Sequence, residues 1–125
     1  VSGLVDFMPA TALERRRAIL LCNLKPAKMR GIESQAMVLC ASDAGHAKVE
    51  LLTPPEGAAV GERIYFDGHP GEPFAPNQVS KKKVWEAVQP KLGTSAECFA
   101  MYDGLAFLTK SGPCKVESIA NGTIK

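Results

Sequence analysis

Aromatic residues make up only 6% of this 125-residue chain. Proteins that read unpaired bases rely on aromatic platforms. The candidates on strand-like stretches, Tyr65, Phe66 and Tyr102, are of a kind that packs inward, and Trp85 reads as a core anchor. The scarcity therefore disfavours base stacking as the main recognition mode. Histidine is rarer still, with His46 and His69 alone beside the four cysteines Cys22, Cys40, Cys98 and Cys114. No CxxC pair is present, so a zinc site has no support, and no metal or other cofactor is expected. HExxH, GxSxG and Gly-rich phosphate loops are missing too, which leaves catalysis only Ser34 or a cysteine as conceivable nucleophiles. No apolar run approaches the ~20 residues needed to span a bilayer, so no membrane partner is expected.

Net charge is also small, +2. Its distribution is uneven. Residues 1–37 carry six cations against three acids, residues 38–78 two against six, and residues 79–125 seven against four. Two basic segments flank an acidic middle, and folding can gather them on one face or scatter them over a solvated surface.

What is present is a string of short apolar runs. At 46% apolar the chain is globular, and its length suits one core without a staple. The opening VSGLV reads as the tail of a strand. Thr11 to Glu14 fits a capping box, so a short helical turn is expected after Pro9. AILLCNL, AMVLCAS, AKVELL and RIYF read as strands, and TPPEGAAVGE as a loop. Several short strands between turn-rich loops predict a small barrel or sandwich. Cys22 and Cys40 lie inside apolar runs, where a free thiol acts as a small core residue. That suits a reducing compartment, the cytoplasm, over the alternative of two disulfides.

Composition shifts near residue 67, where DGHPGEPFAPNQ reads as a connector. Ser80 is the expected N-cap of a helix over SKKKVWEAVQ, with Val84, Trp85 and Val88 on one face and Pro90 ending the regular part. Lys81, Lys82 and Lys83 then crowd the helix N-terminus against the macrodipole, which suggests an anionic partner. ECFAMY, LAFLT and CKVESI are expected strands, with turns at Gly104 and Gly112. The resulting organisation is residues 1–66 as one unit and 67–125 as an extension.

Between the first two apolar runs lies NLKPAKMRGIESQ. Pro26 pre-sets its own φ and disfavours helix at Lys25, while Gly31 permits a tight exit. Lys25, Lys28 and Arg30 are thereby displayed on a restrained loop, lysine as a point charge and arginine as a fork for phosphate oxygens. Ser34 and Gln35 add donors for phosphate, sugar or base edges. The duller reading is a hairpin loop whose charges keep it soluble.

VSGLV, LLCNLKPAKMRGIESQAMVLCAS and TPPEGAAVGERIYF together resemble the tRNA-binding domain appended to aminoacyl-tRNA synthetases. The NLKP-x-K-M-RG-x-x-SQ-x-M pattern is the most specific part. SKKKVWEAVQPKL through GPCKVESIANGTIK resembles the C-terminal extension of the endothelial monocyte-activating polypeptide II branch, which also occurs on some methionyl- and tyrosyl-tRNA synthetases. The resemblance implies a mainly β fold, an oligonucleotide-binding (OB) barrel with a C-terminal α+β extension. It implies a non-catalytic module that docks tRNA by shape and backbone charge for a synthetase or multisynthetase assembly. The extension would imitate a second subunit, making a pseudo-dimeric monomer rather than a homodimer. By position, Asn23, Lys25, Lys28, Arg30, Ser34 and Gln35 would face tRNA, with Lys81, Lys82 and Lys83 extending the track. In that family VSGL lies inside the barrel, so the first strands, and the peptide tied to cytokine activity, are expected upstream of Val1. A protein-interaction or secreted signalling module built on residues 79–125 is the alternative.

Overall fold

The computed structural model describes residues 4, 7–45, 48–68 and 71–124. The expected strand end at VSGLV falls almost wholly outside these residues, as do both histidines. The architecture is mainly β. A 3-10 turn at Ala10–Ala12 follows Pro9 as expected, but Thr11 lies inside it rather than capping it. Then come β1 (Leu20–Leu21), β2 (Ala27–Met29), β3 (Ile32–Ser34), β4 (Met37–Val38), β5 (Cys40–Ser42) and β6 (Val49–Leu51). After the connector lie α1 (Pro76–Lys81), α2 (Val84–Val88) and a 3-10 turn at Gln89–Lys91. The chain ends with β7 (Leu92–Thr94), β8 (Ala100–Tyr102), β9 (Leu105–Ala106), β10 (Leu108–Thr109), β11 (Gly112–Pro113) and β12 (Thr123–Ile124).

The main sheet has six strands in the order β6-β5-β12-β7-β8-β9, every pair antiparallel. β12 sits in its middle, with Ile124 opposite Ala41 of β5 and Thr123 opposite Gly93 of β7. A strand from the end of the chain thus joins pairs from its two halves into one ladder. Leu39, Ala41, Leu52, Ala100, Phe107, Val116 and Ile124 form the buried cluster around this seam. Trp85 and Val88 pack on it half-buried, so Trp85 is a core anchor. Phe66 meets Tyr102 and Phe107 edge-on, with ring centroids 5.5 and 5.0 Å apart, so two of the three strand aromatics pack inward. Tyr65 stays 45% exposed.

Several expectations change. Of AILLCNL only Leu20–Leu21 is strand, and Leu20 is exposed; among the described residues β1 pairs with β4 alone. RIYF is not a strand: Tyr65 makes one bridge, exchanging both backbone hydrogen bonds with Leu108 at 3.0 Å. CKVESI likewise contributes bridges from Lys115 to Thr53 and Phe99 rather than a strand. Cys22 is exposed, whereas Cys40 and Cys114 are buried. Burial pushes the Cys114 thiol up to about 11, aided by the Glu62 charge, and raises that of Cys40 against the pull of Arg16. Both thiols stay protonated near neutral pH and act as core residues, not nucleophiles.

The helical region also departs from expectation. The first helix starts at Pro76, whose missing N–H is no loss at a helix start, and the Gln78 side chain accepts the Ala75 N–H. Ser80 is therefore inside a helix rather than capping one. The helix breaks at Lys82 and Lys83, the latter left-handed at φ 50°. Lys81 lies in the last turn of α1, where the macrodipole favours a cation. The electrostatic penalty expected for the lysine run at a single helix N-terminus is absent for Lys81.

A polar clamp holds the final loop to β6. The Ser118 hydroxyl donates to Glu50 Oε2 at 2.6 Å, and the backbone N–H groups of Ser118 and Ile119 donate to Oε1 at 2.9 Å. Lys48 lies 3.6 Å from the same carboxylate. Burial opposes ionisation of Glu50, whose side chain is 10% exposed. The three hydrogen bonds and Lys48 outweigh it and hold the carboxyl below its ordinary value of 4.5. A carboxyl that is more acidic folded than unfolded stabilises the fold above the unfolded value, and that contribution is lost as pH falls through the folded one. Glu50→Gln should thus cost about 1.5–3 kcal/mol at pH 7, as charged hydrogen bonds are lost. The gap from wild type should narrow in urea denaturation as the pH is taken well below 4.5.

Candidate nucleic-acid interface

The segment after β1 folds as a hairpin. Ala27 faces Ser34, Lys28 faces Glu33 and Met29 faces Ile32, so Arg30 and Gly31 form a two-residue turn. Both turn residues have positive φ, 51° and 82°, the type I′ geometry whose twist matches the flanking strands. Nearly every residue of β2 and β3 is exposed, so the hairpin projects from the body. Strand alternation gives it two characters: Lys28 and Glu33 share one face, and Met29 and Ile32, 42% and 62% exposed, share the other.

Arg30 occupies a position where Asn, Asp or Gly folds at less cost. Lys83 repeats the pattern at the break between α1 and α2. A long cation held in a strained conformation is a reason to look for a role for its side chain. Arg30→Asn should accordingly raise the melting temperature slightly, by the equivalent of about 0.5–1 kcal/mol, while weakening polyanion binding. A thermal melt run beside a binding titration checks both halves.

The remaining sequence-selected residues separate into two groups. Lys25, Lys28 and Arg30 are exposed on the hairpin and the loop leading into it, and Gln35 is exposed just past it. Ser34 and Asn23 are half-buried and engaged within the fold. The Ser34 hydroxyl donates to the Ala36 carbonyl at 3.1 Å, and the Asn23 amide donates to the Phe74 carbonyl at 3.0 Å. Lys81, Lys82 and Lys83 are all exposed. The Lys82 ammonium lies 5.1 Å from the centre of the Phe74 ring.

Phe74 is the residue that sequence reasoning missed. Through Asn23 and Lys82 it draws the root of the hairpin and the lysine run, some fifty residues apart in the chain, to one place on the surface. Its signal was a lone large apolar residue inside a Gly- and Pro-rich connector, where no core periodicity accounts for it. The arginine triplet at 15–17 serves mainly as a brace: Arg16 donates to Thr53 Oγ1 at 3.4 Å, and Arg17 to the Ala58 carbonyl. Among the described residues no group of three metal-ligating side chains is assembled.

The chain has counterparts among known proteins. Residues 1–63 match the family described as "Putative tRNA binding domain". The whole chain is 52% identical to part of the mouse "Aminoacyl tRNA synthase complex-interacting multifunctional protein 1", of which it spans 40%. It is 50% identical to part of "Methionine--tRNA ligase, cytoplasmic" of Arabidopsis thaliana, of which it spans 16%. The crystal structure of the C-terminal domain of Plasmodium vivax p43 superimposes on it with a TM-score of 0.86 at 31% identity, covering 99% of this chain and 74% of that one. The chain belongs to this family of tRNA-binding domains.

Proposed function

We propose that the chain docks tRNA through its backbone and overall shape, without catalysis of its own, for an aminoacyl-tRNA synthetase or a synthetase assembly in the cytoplasm. The observation that carries the reading is the projecting hairpin, which holds Lys28 and Arg30 outside the body and has Lys25 at its root. It sits in a chain that belongs to a tRNA-binding family. Three exposed cations on and beside a short hairpin suit successive phosphates of a folded RNA. Asn23 and Ser34 support the hairpin from within, Gln35 adds a donor beside it, and Lys81 to Lys83 extend the contact toward the connector. Docking in this way raises the local tRNA concentration at a catalytic partner.

Residues 1–66 make an OB-type unit, and residues 67–125 an extension that imitates a second subunit, so one chain does the work of a dimer. A titration of several unrelated tRNAs, with a plain RNA duplex for comparison, tests the function. Similar affinities among tRNAs and a weaker duplex are expected; equal binding to all of them would remove the shape argument. Sedimentation of the free chain and its tRNA complex checks for a single copy per tRNA.

A further inference from the structure

Phe74 is 46% exposed although it stands at the meeting point of two basic segments. The connector around it is tied down: Arg63 donates to the Gly71 carbonyl, Asn23 to the carbonyl of Phe74 itself, and the Ala75 N–H to Gln78. The Lys82 ammonium lies over the ring, and a ring has two faces. Phe7 and Tyr65 are comparably exposed, but among the described residues only Phe74 carries a cation over its ring.

We propose that Phe74 is a stacking platform for an unpaired nucleobase of the bound RNA, seated between the hairpin and the lysine run. The proposal rests on the tRNA-binding reading above. A base laid on the open surface of the ring buries an aromatic that water now covers. It also brings the flanking phosphates toward Lys81 to Lys83 on one side and the hairpin cations on the other. Every base has a π face, so such a platform adds affinity with little sequence preference. It requires a nucleotide that is free to leave its stack, which sets it apart from the charge contacts. Those contacts grip paired and unpaired RNA alike. The ties at Gly71, Phe74 and Ala75 hold the ring in place before binding, which spares ordering entropy.

The test uses the full chain with three probes: a tRNA, an unstructured oligouridylate and an RNA duplex. Phe74→Leu should weaken binding of the first two about tenfold, the fold-change of one lost stack. It should leave duplex binding and the salt dependence unchanged, and Phe74→Trp should keep full affinity. Lys82→Gln should instead flatten the salt dependence with all three probes. The platform is overturned if Phe74→Leu binds like wild type, or if its effect matches that of Lys82→Gln in salt slope and on duplex. Either result leaves the docking reading standing so long as loss of the hairpin cations still weakens tRNA binding. Failure of the wild-type chain to bind tRNA removes the reading itself.

Discussion

Replacing Lys25, Lys28 and Arg30 together by alanine should weaken tRNA binding by about two orders of magnitude near 0.1 M salt. It should also make the salt dependence shallower by about 2.7 in log–log slope. Each neutralised phosphate contributes roughly 0.9 to that slope on duplex RNA-like helices through release of condensed counterions. All three side chains are exposed on the hairpin or its approach, so their removal leaves no cavity and no buried partner. The loss should be nearly uniform across tRNA species, since phosphate contacts carry no base information. A loss confined to one tRNA would mean that the hairpin reads bases. An unchanged slope would place the grip elsewhere, with Lys81 to Lys83 as the next segment to neutralise. Alanine at position 30 keeps the positive-φ cost that arginine pays, so the triple variant should melt close to wild type.

The second large effect concerns the seam of the fold. Ile124→Ala should destabilise the chain by about 2–5 kcal/mol, the range for truncating a buried aliphatic side chain. Ile124 is 1% exposed and stands on β12, the strand that joins β5 to β7. A domain of this size has only about 5–15 kcal/mol to lose. Both halves of the sheet depend on β12, so they should unfold together in denaturant, with one transition seen by Trp85 fluorescence and by circular dichroism. Two separated transitions would show that β12 does not couple them. Gly122→Ala should be about as damaging by a different route. A Cβ there would lie 2.5 Å from both the Ser42 carbonyl oxygen and the Ile119 side chain, and the carbonyl belongs to the β5 backbone.

The display of the cationic segment was legible before any fold was known. Pro26 and Gly31 announce a restrained segment because their effects on φ are local, and the cations between them need no tertiary partner to be displayed. Trp85 and Val88 could be placed inward from helical spacing alone. Ser80 misled because a serine before a basic run looks like a cap, while Pro76 followed by Gln78 carried the better signal four residues earlier. The strands at AILLCNL, RIYF and CKVESI were overread for a different reason. Apolar pattern marks a segment as able to pair, but only the position of its neighbours decides whether it makes a ladder or a single bridge.

The residue types by themselves determined a single-core, mainly β chain with a displayed cationic segment, no metal-binding spacing and a motif specific enough to point to its family. Tertiary structure alone decided that the last strand enters the middle of the sheet. It alone decided that Glu50 clamps the loop before that strand, and that Phe74 brings the hairpin and the lysine run together. Apart from the Lys82 contact on Phe74, these choices pair groups between about 30 and 80 residues apart. Such pairing is settled by which distant partner is left unsatisfied once local structure has formed, and no local pattern records it.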